Sequence, residues 1–294
     1  MTPYLLIKVS WVAGALLGLL PVGAGFGKAE WVVLNSATIG MAAVGIVVAL
    51  ALVRPWGMRI PGAPMAFCAW VGAGFLVPVL PYAVLSWLLG SAEGSPEAGG
   101  EAGPSMPGWE AALVQFGFVG MGLGLAIALP AYLRRRWPGV FAGRLGDGGR
   151  SSRGASAVAV VAVVVGSIWL YWAAGGTAGV DRRGERDPAW YALSAVFGTW
   201  AYVASGATWA AVRGRPAHLP RWGPMVLGWL GSGSLFAWSG WKLAFTLYLA
   251  LAQPADASLP ENLAVAAVLH LAAVAAGAGM LRALLRTRPV YSNP

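Results

Sequence analysis

Eight apolar stretches, each long enough to cross a bilayer, take up most of this chain. A spanning helix needs about 20 predominantly apolar residues at 1.5 Å rise each. The pattern predicts spans near 4–22, 31–53, 64–90, 110–133, 155–179, 190–212, 222–250 and 262–284. The runs are continuous rather than alternating, which excludes strands of a membrane barrel. The expected fold is therefore an all-α polytopic membrane protein.

Composition agrees: 58% of residues are hydrophobic and 11% charged, against about 25% charged in soluble domains. The first run lacks the basic start of a signal peptide, since only Met1, Thr2 and Pro3 precede it. Cys68 is the single cysteine, so no intrachain disulfide can form. His218 and His270 lie on different segments without Cys, Asp or Glu at ligand spacing, and no metal site is expected. No cofactor motif occurs.

Charge sorts by side. The connections 54–63, 134–154, 213–221 and the tail from 282 carry fourteen Lys or Arg against one acid, Asp147. The connections 22–30, 91–110, 180–189 and 251–261 carry four basic residues against ten acids. Basic residues in short loops are retained in the cytoplasm. The net charge of +9 thus reads as topology, not nucleic-acid binding. Both termini are expected in the cytoplasm, with the chain in the plasma membrane. Arg134, Arg135 and Arg136 would contact anionic lipid head groups. Two Gly-rich loops, 91–108 and 139–154, read as flexible.

The two halves match at an offset of 159 residues. Trp31 aligns with Trp190, Val53-Arg54 with Val212-Arg213, and Pro61 with Pro220. Trp70, Gly72 and Gly74 align with Trp229, Gly231 and Gly233. In the fourth span the offset shortens, pairing Glu110 with Glu261, Arg135 with Arg286 and Pro138 with Pro289. An even number of spans per half makes the repeat parallel, with its axis along the membrane normal. The expected units are residues 1–138, a cytoplasmic linker at 139–154, and residues 155–294. Each unit is a four-helix bundle, and the seam between them is the natural place for a cavity.

Two segments carry a resemblance: Tyr171-Trp172-Ala173-Ala174-Gly175-Gly176 and Arg54-Pro55-Trp56-Gly57-Met58-Arg59-Ile60-Pro61. They resemble recurring signatures of a family of small multi-pass membrane proteins from high-GC bacteria, known as a domain of unknown function. In the second half Arg213-Gly214-Arg215-Pro216 departs from the Arg-Pro-Trp-Gly pattern. The resemblance implies an integral-membrane fold and no activity.

Ionisable residues inside hydrocarbon are costly and mark candidate sites. Lys242 falls about 13 Å from the outer end of the seventh span at helical rise, and His270 at similar depth in the eighth. Lys242 shares a helical stripe with Gly231, Ser234 and Trp238. Asn35, Gln115 and Thr199 also lie on outer halves of spans. These six, Lys242, His270, Trp238, Gln115, Asn35 and Thr199, are the candidate ligand-binding residues. The competing reading has Lys242 snorkelling to head groups. Lys8, close to the cytoplasmic end of the first span, is expected to snorkel too. Glu110 and Glu261 begin corresponding helices, where the macrodipole favours acids.

No Gly-x-Ser-x-Gly elbow, Walker loop or intramembrane acidic motif is present. A retinal Schiff base on Lys242 would need an acid at comparable depth, and the spans offer none. No catalytic residue is assigned. The expected role is binding or passage of a small or lipid-like molecule, or membership of a membrane complex with a protein partner. Two rivals remain open: a membrane enzyme acting on a lipid-linked substrate through Lys242 and His270, and a packing protein without ligand. Cavity polarity discriminates them.

Overall fold

The computed structural model describes residues 2–22, 27–88, 108–140, 142–147, 153–253 and 259–287. Among these the chain is helical, with isolated bridges at Arg144–Pro220 and Val180–Glu261 in place of strands. Nine helices follow in order. They are α1 (Thr2–Leu17), α2 (Lys28–Val53), α3 (Gly62–Leu76), α4 (Val79–Leu88) and α5 (Gly108–Arg136), then α6 (Arg153–Ala173), α7 (Pro188–Arg213), α8 (Trp222–Ala252) and α9 (Leu263–Arg286). The loop 91–108 lies almost wholly outside the described residues.

Among the described residues six helical runs are long and apolar enough to cross a membrane: Lys28–Val53, Gly62–Tyr82, Phe116–Arg136, Gly154–Ala173, Trp222–Ala252 and Leu263–Arg286. The expectation was eight. At 16 residues, α1 is about 24 Å long, short of the roughly 30 Å hydrocarbon layer. The 26 residues of α7 are enough, but Ser194, Thr199, Ser205 and Thr208 dilute its apolar character. Large apolar side chains stand exposed along the helices, including Val44, Ile127, Val160, Val164 and Val268. Solvent-facing patches of that extent are not tolerated in water, so these faces lie against lipid in a multi-pass membrane protein.

Helix ends follow local chemistry. Asp187 caps α7 by accepting from the Trp190 N–H at 2.7 Å, with Pro188 at the first helical position. Asn262 caps α9 by accepting from the Ala264 and Val265 N–H groups. Gly214 closes α7 in the left-handed region, φ 63°, which glycine adopts without Cβ strain. The span expected at 64–90 is broken between α3 and α4. Pro78 and Pro81 lack the N–H groups a continuous helix needs there.

The basic helix ends share one face of the molecule. Arg136 donates to the Met58 carbonyl at 2.6 Å, and Arg221 donates to Thr287 Oγ1 at 3.3 Å. The linker expected to be flexible is partly clipped to this face. Leu145 N–H bonds the Leu219 carbonyl, Gly146 N–H the Ala217 carbonyl, and Arg221 N–H the Gly143 carbonyl. The reason is apolar anchoring of the loop: Leu145 is 1% exposed and packs with Ala211, Met225 and Leu284, with Val140 against the same cluster.

Helices α6 to α9 form a tight bundle around Trp169, Trp172, Trp190, Phe197 and Trp238. The first half joins it through α3 against α8. There Trp70 Nε1 donates to the Trp229 carbonyl at 3.0 Å and to Ser232 Oγ at 3.1 Å. A Cβ on Gly74 would overlap the Gly233 carbonyl. Only two glycines allow the backbones so close.

Candidate functional site

Two cavities flank Trp238. The first lies inside the α6–α9 bundle, about 30 Å³, lined by Ser194, Trp238, Ser239, Lys242, Glu261 and His270 among others. The second, about 450 Å³, lies between α2, α3, α5 and α8, and Trp238 and Trp241 form part of its wall.

The smaller cavity brings Lys242, His270 and Trp238 together. His270 is 6% exposed; its Nδ1 lies 3.4 Å from Ser239 Oγ, and its ring stands 6.2 Å from that of Trp169. Lys242 is half-buried. Glu261 is the member that sequence reasoning missed. Instead of capping α9, a task done by Asn262, it turns inward and accepts from Trp190 Nε1 at 2.8 Å. The Val180–Glu261 bridge fixes that turn. No spacing rule pairs residue 180 with 261, so the sequence held no direct signal for it.

Other candidates lie elsewhere. Thr199 is exposed and bonds back to the Ala195 carbonyl at 2.8 Å. Gln115 falls on α5, in the first half, and its side chain lies outside the described residues, as does that of Glu110. Arg134 and Arg135 are exposed at the basic end of α5. Arg136 is engaged with Met58 and stacks on Trp137.

Asn35 is fully buried in the first half, and its partner is Lys8. The Lys8 ammonium donates to Asn35 Oδ1 at 3.0 Å and sits 4.4 Å from the Trp11 ring centre. Lys8 is 5% exposed, so the snorkelling expectation is overturned. The cause is register: Trp11 stacks on Trp31, which sets α1 beside the acidic-end half of α2. That places Lys8 level with the one amide on that face. Asn35 in turn donates to the Trp31 carbonyl, and its own carbonyl accepts from Thr38 Oγ1.

The larger cavity lies between first-half helices and α8, and its lining differs from the polar pocket expected around Lys242 and His270. Its walls carry Tyr4, Phe67, Phe75, Phe118, Trp238 and Trp241, with Met41, Met121 and Cys68 between them. Among the described residues no charged side chain lines it, and Thr38 and Tyr4 supply hydroxyls. Trp238 Nε1 is anchored on the Phe75 carbonyl at 3.0 Å, which holds the indole as a partition between the two cavities. Pockets of 300–1,000 Å³ with mainly apolar walls and few polar groups are the common form of small-molecule sites.

Comparison with protein-family models, with curated proteins and with solved structures gives no match.

Proposed function

We propose that this chain is a membrane protein that binds a neutral, lipid-like molecule in the cavity between α2, α3, α5 and α8. The observation that carries the reading is the cavity's size joined to its uncharged, aromatic-rich wall. A charged ligand would lose its hydration there without compensation. An isoprenoid or acyl chain would not, and a single polar end would find Thr38 and Tyr4. The cavity around Lys242 and His270 has room for water only, which argues against a lipid-linked substrate reacting there.

The architecture we propose around it is eight spans in two parallel four-helix repeats. Trp70 bonds the backbone of Trp229, and Gly74 meets Gly233. Both pairs are separated by the 159-residue offset. Residues that contact their own counterparts lie on a two-fold axis, and α3 and α8 run side by side in the same direction. We place the basic face in the cytoplasm on the positive-inside rule, with Arg134 and Arg135 against anionic lipid. A cysteine at 147, with Cys68 replaced, should then resist impermeant maleimide in intact cells. Labelling from outside would reverse the orientation.

The ligand reading is tested with a diazirine-bearing long-chain alcohol photolysed on the purified protein. Adducts should map to 38–48 and 67–79 and fall at least fivefold in Gly72→Leu, which fills the cavity. Adducts spread evenly over lipid-facing positions, unchanged by Gly72→Leu, would reject it.

A further inference from the structure

Inside the α6–α9 bundle, three ionisable side chains from separate segments converge on one cavity: Lys242 from α8, His270 from α9, and Glu261 from the turn before α9. The cavity is too small for an organic ligand, at about 30 Å³. It exceeds the roughly 10–15 Å³ that one water requires. Ser194, Ser234 and Ser239 line it beside the three ionisable groups, and a water needs two to four polar partners. Glu261 Oε1 is held by Trp190 and His270 Nδ1 by Ser239. Among the described residues Glu261 Oε2, His270 Nε2 and the Lys242 ammonium have no direct hydrogen-bond partner, and no two of these residues form an ion pair. Polar groups that share a cavity without touching can be bridged by water.

We propose that Lys242, His270 and Glu261 form a hydrated proton-binding site, whose ligands are water and a proton. The lysine ammonium and glutamate carboxylate offset each other across the water, which makes their burial tolerable. A proton arriving through the water adds to the Glu261 carboxylate and changes the charge of the pocket by one. No other bond forms or breaks. Trp169 and Phe197 from α6 and α7 bring no charge to its walls. The charged and titratable groups next beyond are Arg186 stacked on Trp190 and Tyr191, Asp187 capping α7, Asp181 bonded to Asn262, and Tyr82 packed on Ala192.

The test is an infrared pH titration of the full chain reconstituted in phosphatidylcholine vesicles, in H₂O and D₂O. The wild type should show a carboxylic C=O stretching band that appears on acidification and is lost in Glu261→Gln. In Lys242→Met the band should change position, because the positive charge facing the same water is gone. Asp181→Asn should leave the band in place. Where Glu261→Gln fails to fold, Glu261→Asp keeps the carboxylate and should shift the band rather than remove it. A wild-type band untouched by Glu261→Gln, Glu261→Asp and Lys242→Met alike, or no band across the titration, overturns the proposal.

Discussion

Two pairs of small residues, set 159 positions apart in the sequence, are used to opposite ends. In α7 and α8, Ala204 and Gly231 are in contact: a Cβ on Gly231 would lie 2.7 Å from the Ala204 Cβ. The positions 159 residues earlier are Gly45 and Gly72. A Cβ on Gly72 would meet nothing within 4 Å, and one on Gly45 only the Met121 terminal methyl at 3.4 Å. Both glycines border the large cavity instead. Small residues are therefore not by themselves a packing signal. In one half they close a bundle, and in the other they leave room beside α8.

The sharpest way to break this comparison is at the seam. Gly74→Val would drive a branched side chain into the Gly233 backbone. Overpacking costs about 1–3 kcal/mol and occasionally more, and backbone cannot yield as a side chain does. We expect the largest loss of apparent thermal midpoint here, with aggregation on gel filtration in mild detergent. A folded Gly74→Val protein of wild-type stability would mean that α3 and α8 do not meet as described.

Next in size is the paired test Gly231→Leu against Gly72→Leu. Gly231→Leu should destabilise by about 2 kcal/mol through the Ala204 clash. Gly72→Leu should do the reverse, gaining about 0.5–1 kcal/mol from helix propensity alone while filling the cavity. Equal effects on thermal unfolding would erase the distinction between the halves.

Sequence reading reached the helices and their charged ends because both follow from composition and position. Trp70 and Trp229, which a one-dimensional match sets 159 residues apart, meet in the fold. What sequence reading missed depends on three-dimensional register. Lys8 looked like a terminal lysine until Trp11 stacked on Trp31 and carried it to Asn35. Glu261 looked like a helix-end acid until a loop bridge turned it inward. Gly72 looked like Gly231, because a glycine has no side chain to reveal whether a neighbour or a void faces it.

A smaller effect is expected at Trp238. Trp238→Phe keeps most of the ring but removes the donor to the Phe75 carbonyl, at a cost of about 1 kcal/mol. It also thins the partition between the polar and apolar cavities. The stability loss should appear in thermal unfolding, and photo-crosslinking of the long-chain alcohol should extend toward Ser194 and Ser239. Adducts confined to the first half would show that the partition does not depend on the indole.

The finest test asks whether the first half, open as it is, has its own polar lock. Lys8→Met and Asn35→Leu each remove one side of the buried Lys8–Asn35 bond. Each single change leaves a buried group short of a partner, which costs about 1–3 kcal/mol. Lys8→Met recovers part of this by removing a buried charge, so its net loss should be the smaller. The double variant removes both groups together and should lose less than the sum, with a coupling of at least about 0.5 kcal/mol. That coupling is measured from unfolding midpoints of the four proteins in one detergent. Strict additivity would place the ammonium away from Asn35 and return Lys8 to the head-group region, and with it the first helix to a different register against α2.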